Sequence, residues 1–142
     1  MRHAYPFTLR PDEGGRLVVT FPDVKGASTD GADEAEATAN ASDCLTAALI
    51  GYIRSREPIP HPSPARGRRT VVLPPLVTAK LALFSAMLEQ RITSPDLADR
   101  MGKPESEVRR LLDLDHGSDI GQIEAALAEL GKRLEIRVRD AA

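Results

Sequence analysis

A single cysteine in 142 residues excludes an internal disulfide. That residue, Cys44, lies in an alanine-rich helical stretch and reads as a small buried apolar side chain. Histidines are also few. His3, His61 and His116 are scattered among strand, linker and loop, with no ligand-like spacing to Cys44, so neither a metal site nor a cofactor is expected. His116 is expected to bind backbone locally, with a phosphate contact as the sharper alternative. No Ser-His-Asp or phosphate-loop pattern occurs, and no catalytic residue is assigned. No apolar run is long enough to cross a bilayer. The opening MRHAYPFTLRPDEGG has no signal-peptide core, which points to a cytoplasmic protein without a membrane partner. Internal repeats are absent. No charge of one sign dominates, the net charge being −2.

What is present falls into three stretches. Residues 1–57 read as strands followed by one helix. Tyr5, Phe7 and Leu9 alternate, as do Leu17, Val19 and Phe21, which puts each set on one sheet face. Pro11-Asp12-Glu13-Gly14-Gly15 between them is turn chemistry, so the pair forms a hairpin. Ala27–Thr29 reads as a third strand. A helix starts near Asp33, with Glu36 completing a capping-box-like pair, and follows Ala35, Ala39, Leu45, Leu49, Tyr52 and Ile53 until Pro58. Residues 58–69, PIPHPSPARGRR, have the composition of an extended, exposed linker. Its Arg66, Arg68 and Arg69 read as a solvated run, with a DNA-backbone contact as the alternative.

Residues 70–142 are mainly helical. Val71–Leu73 reads as strand, and a helix from Pro74-Pro75 to about Gln90 buries Val77, Leu81, Phe84 and Leu88. Asp119 caps a last helix carrying Ile123, Ala126, Leu127 and Leu130, and Gly131 ends it. The tail alternates, with Leu134, Ile136 and Val138 on one side. It reads as a strand needing a partner, either Val71–Leu73 or its own copy in a second chain.

The stretch from Ser94 to Asp113 carries the most information. Leu97, Ala98 and Met101 give one short helix its apolar face, and Val108, Leu111 and Leu112 give the next. Ala98 and Gly102 permit a close crossing and a sharp turn. That spacing predicts a helix-turn-helix, in which the second helix enters the DNA major groove. Ser94 reads as the N-cap of the first helix and joins the DNA-contact set. Arg109 and Ser106 are expected at base edges, Glu105 can accept from cytosine, and Arg110 and Lys103 are expected at phosphates. A Glu105–Arg109 ion pair at i,i+4 is the competing reading for that arginine. Residues 70–142 hold ten basic and twelve acidic residues, so a basic face must be local. Weak, salt-sensitive binding by one copy then favours a homodimer or higher homo-oligomer on a palindromic operator.

With both halves read, the chain resembles the HicB-type antitoxins that carry a helix-turn-helix. The resemblance runs through GGRLVVTFPDVKGASTDG (14–31), where Phe21, Pro22, Asp23, Gly26 and Gly31 hold the family's places. It continues through LPPLVTAKLAL, the helix pair and IEAALAELGKRLEIRV. Ala27 stands for a frequent Cys and Lys25 for a frequent Pro. The resemblance implies an α+β chain: a partial ribonuclease-H-like β-β-β-α layer, then an all-α DNA-binding and dimerisation domain with a C-terminal strand. It also implies a partner, a small HicA-like toxin that cleaves RNA and is masked by the N-terminal layer, with Phe21, Pro22 and Asp23 as toxin contacts. Asp23 has an equal alternative as a turn-stabilising side chain. Dimerisation falls to Leu134, Ile136 and Val138.

An active nuclease of this fold needs clustered carboxylates for two metal ions. Here Asp12 and Glu13 sit in a turn, and Asp33, Glu34 and Glu36 crowd a helix start, so an inactive layer is expected. The expected role is an antitoxin that represses its own operon. The rival is a stand-alone helix-turn-helix regulator whose N-terminal domain senses a small molecule.

Overall fold

The computed structural model describes residues 3–141. They are organised as two compact units, Met1–Thr78 and Ala79–Ala142.

In the first unit, strands β1 (Ala4–Pro11), β2 (Leu17–Thr20) and β3 (Ser28–Gly31) precede helix α1 (Glu34–Arg54), and β4 (Arg69–Val72) follows it. The sheet is antiparallel, in the order β3-β2-β1-β4. The hairpin forms where alternation and turn chemistry placed it. Asp12 closes it, its backbone N–H donating to the Arg16 carbonyl at 2.8 Å and its carboxylate accepting from the Arg16 N–H at 2.9 Å. β1 is shared along its length. Thr8–Pro11 pairs with β2, and Ala4–Phe7 pairs with β4 on the other side. Val71 and its neighbours therefore partner β1.

α1 packs on β3, β2 and β4. Asp33 caps it, accepting from the Glu36 N–H at 2.8 Å. Its buried face is Ala37, Ala41, Leu45 and Leu49, whereas the expected Ala35 and Ala39 are exposed. Alanines on several faces leave the phase of such a helix ambiguous, and packing against the sheet decides it. Gly31 lets the helix approach: a Cβ there would lie 2.6 Å from Ala37 Cα. Residues 58–68 form no regular element, yet they are not a free linker. Ile59 and Pro62 are buried, and Pro60 accepts from the Tyr5 hydroxyl at 2.7 Å. Two of the three arginines expected to be solvated are engaged, Arg68 with Ser63, Pro64 and Ala65, and Arg69 with Glu34.

Helix α2 (Pro75–Glu89) begins in the first unit, and the second unit takes its core from the part of α2 beyond Thr78 with α3 (Ser94–Met101), α4 (Glu105–Leu112) and α5 (Ile120–Glu129). α2 is no simple amphipathic helix. From Ala79 to Met87, Ala79, Lys80, Leu81, Leu83, Phe84, Ala86 and Met87 are all buried, as expected of a central helix. α3 packs on α4 and α5. Asp119 caps α5, and Ile123, Ala126, Leu127 and Leu130 are buried. The expected strand Leu134–Val138 does not form in the single chain. The tail beyond α5 has no strand partner among the described residues, and Ile136 and Val138 are 76% and 90% exposed. No described helix is long and apolar enough to cross a membrane.

Candidate functional site

Two short helices define the candidate DNA-contact region. Thr93, not Ser94, caps α3. Its hydroxyl accepts from the Asp96 N–H at 3.3 Å, and the Asp96 carboxylate accepts from the Thr93 N–H at 3.1 Å. This second bond, above all, holds the Asp96 carboxyl below the usual carboxylate range. Ser94 is instead the first helical residue, half-buried ahead of Pro95. α3 stops at Gly102 in the left-handed region (φ 63°), where Gly102 and Lys103 donate to Asp99 and Ala98 carbonyls. Pro104 then leads into α4. Val108 and Leu111 turn inward, as do Leu97 and Ala98 of α3.

The remaining face of α4 carries the polar residues. Ser106, Arg109 and Arg110 are exposed, Lys103 is exposed just ahead of the helix, and Glu105 is half-buried. The competing ion pair is present: Arg109 Nη2 lies 2.9 Å from Glu105 Oε1, and Nε donates to the same oxygen at 3.1 Å. Lys103 Nζ is 3.5 Å from Glu107 Oε2. Exposed pairs at i,i+4 contribute only about 0.3–0.5 kcal/mol, so both cations remain exchangeable to another anion. His116 makes local backbone hydrogen bonds to Asp113 and Ser118.

One residue at this site was not anticipated. Lys80 of α2 is fully buried. Its Nζ donates to the Arg110 carbonyl at the end of α4 and to Ser118 Oγ, both at 2.7 Å. Burial pushes its pKa down, opposed by the nearby Asp113 carboxylate. The available signal was a charge inside the apolar run LVTAKLALF.

The N-terminal candidates separate. Phe21 is core, its ring centroid 5.7 Å from that of Phe7. Pro22 is exposed. Asp23 Oδ2 accepts from both Ser63 N–H and Ser63 Oγ at 2.8 Å, the turn-stabilising alternative in a longer-range form. The other carboxylates are dispersed. Asp30 sits beside Arg16, whose hydrogen bond holds its carboxyl below the usual range, and Glu34 meets Arg69. No three His, Cys, Asp or Glu side chains among the described residues are disposed to hold a metal ion. Cys44 is half-buried, with its thiol pKa raised by burial, and lies in an open groove with Gly26, Thr29, Asn40 and Ala47.

Residues 4–82 match the family model described as the HicB-like antitoxin of bacterial toxin-antitoxin systems. Antitoxin HicB of Escherichia coli strain K12 is 39% identical over 133 residues, covering 93% of this chain and 96% of the relative. Antitoxin HicB 1 of Photorhabdus laumondii is 36% identical over 134 residues, covering 94% and 86%. Antitoxin HicB of Pseudomonas fluorescens is 31% identical over 132 residues, covering 92% and 90%. The chain belongs to the HicB-like antitoxin family of bacterial toxin–antitoxin systems.

Proposed function

We propose that this antitoxin works through two surfaces, one for a protein and one for DNA. The first unit, a partial ribonuclease-H-like layer, binds and masks a small RNA-cleaving toxin of the HicA type. It does so by binding, not by catalysis, and Pro22 is the solvent-facing member of the Phe-Pro-Asp contact. α3 and α4 form a helix-turn-helix that reads the operator of the chain's own operon in the cytoplasm. The single observation that carries the DNA reading is the outer face of α4. It presents Ser106, Arg109 and Arg110 together, with Lys103 at the turn, while Val108 and Leu111 anchor the opposite face.

Pairing of two copies through Leu134, Ile136 and Val138 supplies the second half-site. Support comes from an alternating tail in which Ile136 and Val138 lie uncovered and Leu134 is half-buried. A two-fold pair would match operator halves about one helical turn apart.

Two measurements test the proposal. Co-expression with the small adjacent gene should yield a stable complex, and loss of the antitoxin should arrest growth. Arg109→Ala should weaken operator binding by about 1–3 kcal/mol and relax one base position. Equal loss on operator and random DNA would remove Arg109 from the base-reading set.

A further inference from the structure

We infer that Lys80 is a positioning residue for the DNA-reading helix, fixing how α4 presents Arg109 and Arg110 without touching DNA itself. The inference rests on the DNA-binding reading above.

α4 is only eight residues long. Its first end is set by the Gly102 turn, and Val108 and Leu111 hold its apolar face. Its last carbonyls still need donors from outside the helix. The final carbonyls of a helix lack intrahelical donors, and the only backbone bond from the C-cap is that of the Asp113 N–H to the Arg110 carbonyl, at 3.2 Å. Lys80 supplies the missing tie. Its ammonium meets that same Arg110 carbonyl, where the negative end of the helix dipole favours a cation. Ser118 closes the triangle: it accepts from Lys80, and its hydroxyl lies 3.3 Å from the Arg110 oxygen. The loop after α4 and the end of α4 are thus fastened to one point on the central helix.

The fastened atom belongs to the backbone of a residue whose side chain is exposed on the proposed contact face. A roll of the helix about its buried edge, Val108 and Leu111, would swing the exposed Arg109 and Arg110 through the widest arc. Base-edge hydrogen bonds tolerate displacements of only about half an ångström. Methionine in place of Lys80 fills much of the same space, and the Arg110 carbonyl keeps its bonds from the Asp113 N–H and the Ser118 hydroxyl, so that acceptor is not left bare. What the ammonium alone supplies is the tie between α2 and the end of α4.

The test uses the full chain and Lys80→Met, with Ser118→Ala as the second variant, on a duplex of the chain's own promoter region and on random duplex. Lys80→Met should lose at least tenfold in promoter affinity, with random-duplex affinity within twofold and the salt dependence unchanged, because no phosphate-contacting cation is removed. Ser118→Ala should show a smaller loss of the same kind. Amide hydrogen exchange without DNA should quicken at Asp113 in Lys80→Met and stay unchanged at Leu97. Unaltered promoter affinity, or equal loss on both duplexes, overturns the inference. If Lys80→Met does not fold, wild-type promoter affinity in Ser118→Ala overturns it. If the unaltered chain ignores its promoter, the DNA reading fails, and the positioning role falls with it. The exchange data then decide separately whether Lys80 holds the end of α4.

Discussion

Alanine at Gly31 and alanine at Gly51 should change stability in opposite directions. Gly31 ends β3 where α1 begins its passage across the sheet. A Cβ there would sit 2.6 Å from Ala37 Cα and 2.9 Å from the Glu36 carbonyl carbon, and closer still to the Ala37 nitrogen. Ordinary carbon contacts need about 3.5–4.0 Å, so the first turns of α1 must retreat by roughly an ångström. All three obstructing atoms are backbone, and that backbone is held. Asp33 caps the helix, and Asn40 Nδ2 donates to the Asp30 carbonyl at 2.9 Å. Forcing an extra carbon into a packed site costs about 1–3 kcal/mol, and the upper end applies where no side chain can yield. Gly51 is the internal control. It lies within α1, and a Cβ there meets nothing within 4 Å. Replacing a helical glycine with alanine gains about 0.5–1 kcal/mol. Urea unfolding followed by far-ultraviolet circular dichroism reads both changes. With slopes of about 1–3 kcal/mol/M, Gly31→Ala should lower the midpoint by about 1 M or more, and Gly51→Ala should raise it slightly. A Gly31→Ala midpoint indistinguishable from the parent would show that the close approach of helix and strand carries no constraint.

Three further expectations concern the first unit and the tail. Burial of the Tyr5 hydroxyl, with the Asp23 carboxylate nearby as the lesser cause, pushes its pKa up to about 12 from the ordinary tyrosine value. A raised folded-state value means that its contribution, about 2–3 kcal/mol, is complete below pH ~10 and lost as pH rises toward ~12. Alkaline unfolding of Tyr5→Phe should lack that dependence, and an identical alkaline profile would refute the assignment. Asp23→Ala removes both acceptor contacts to Ser63, so trypsin should cut after Arg66 and Arg68 faster, and an unchanged cleavage rate would argue that the segment is held by its other contacts, among them buried Ile59 and Pro62 and the Tyr5–Pro60 hydrogen bond. Under the proposed tail pairing, Ile136→Asp combined with Val138→Asp should abolish self-association in sedimentation experiments while leaving circular dichroism unchanged, and undiminished self-association would move the contact elsewhere.

The hairpin was legible because alternation and a five-residue turn state the same thing twice. α5 was legible for a similar reason, with a cap, a periodic face and a glycine in agreement. The phase of α1 was not, because alanine neither demands nor refuses burial. The cap of α3 lies one residue before the expected Ser94, since Thr93 and Ser94 both offer a hydroxyl and only backbone geometry chooses between them. Asp23 and Lys80 were the harder cases. Their partners, Ser63 and the Arg110–Ser118 pair, lie 30 or more residues away, and local pattern carries no information on such pairings. The outward face of α4 was readable because its inward face is marked by Val108 and Leu111.

The divided pairing of β1 has a consequence for how the first unit is made. Half of this strand, Ala4–Phe7, waits for a partner that lies some 65 positions downstream. A nascent chain that has emerged only as far as α1 holds the hairpin and the helix but leaves one flank of its first strand bare. Closure must await Arg69–Val72, and pairings so distant in sequence are slow to form. A fragment cut after residue 57 should therefore be sticky and incompletely folded, and one extended beyond Leu73 should not.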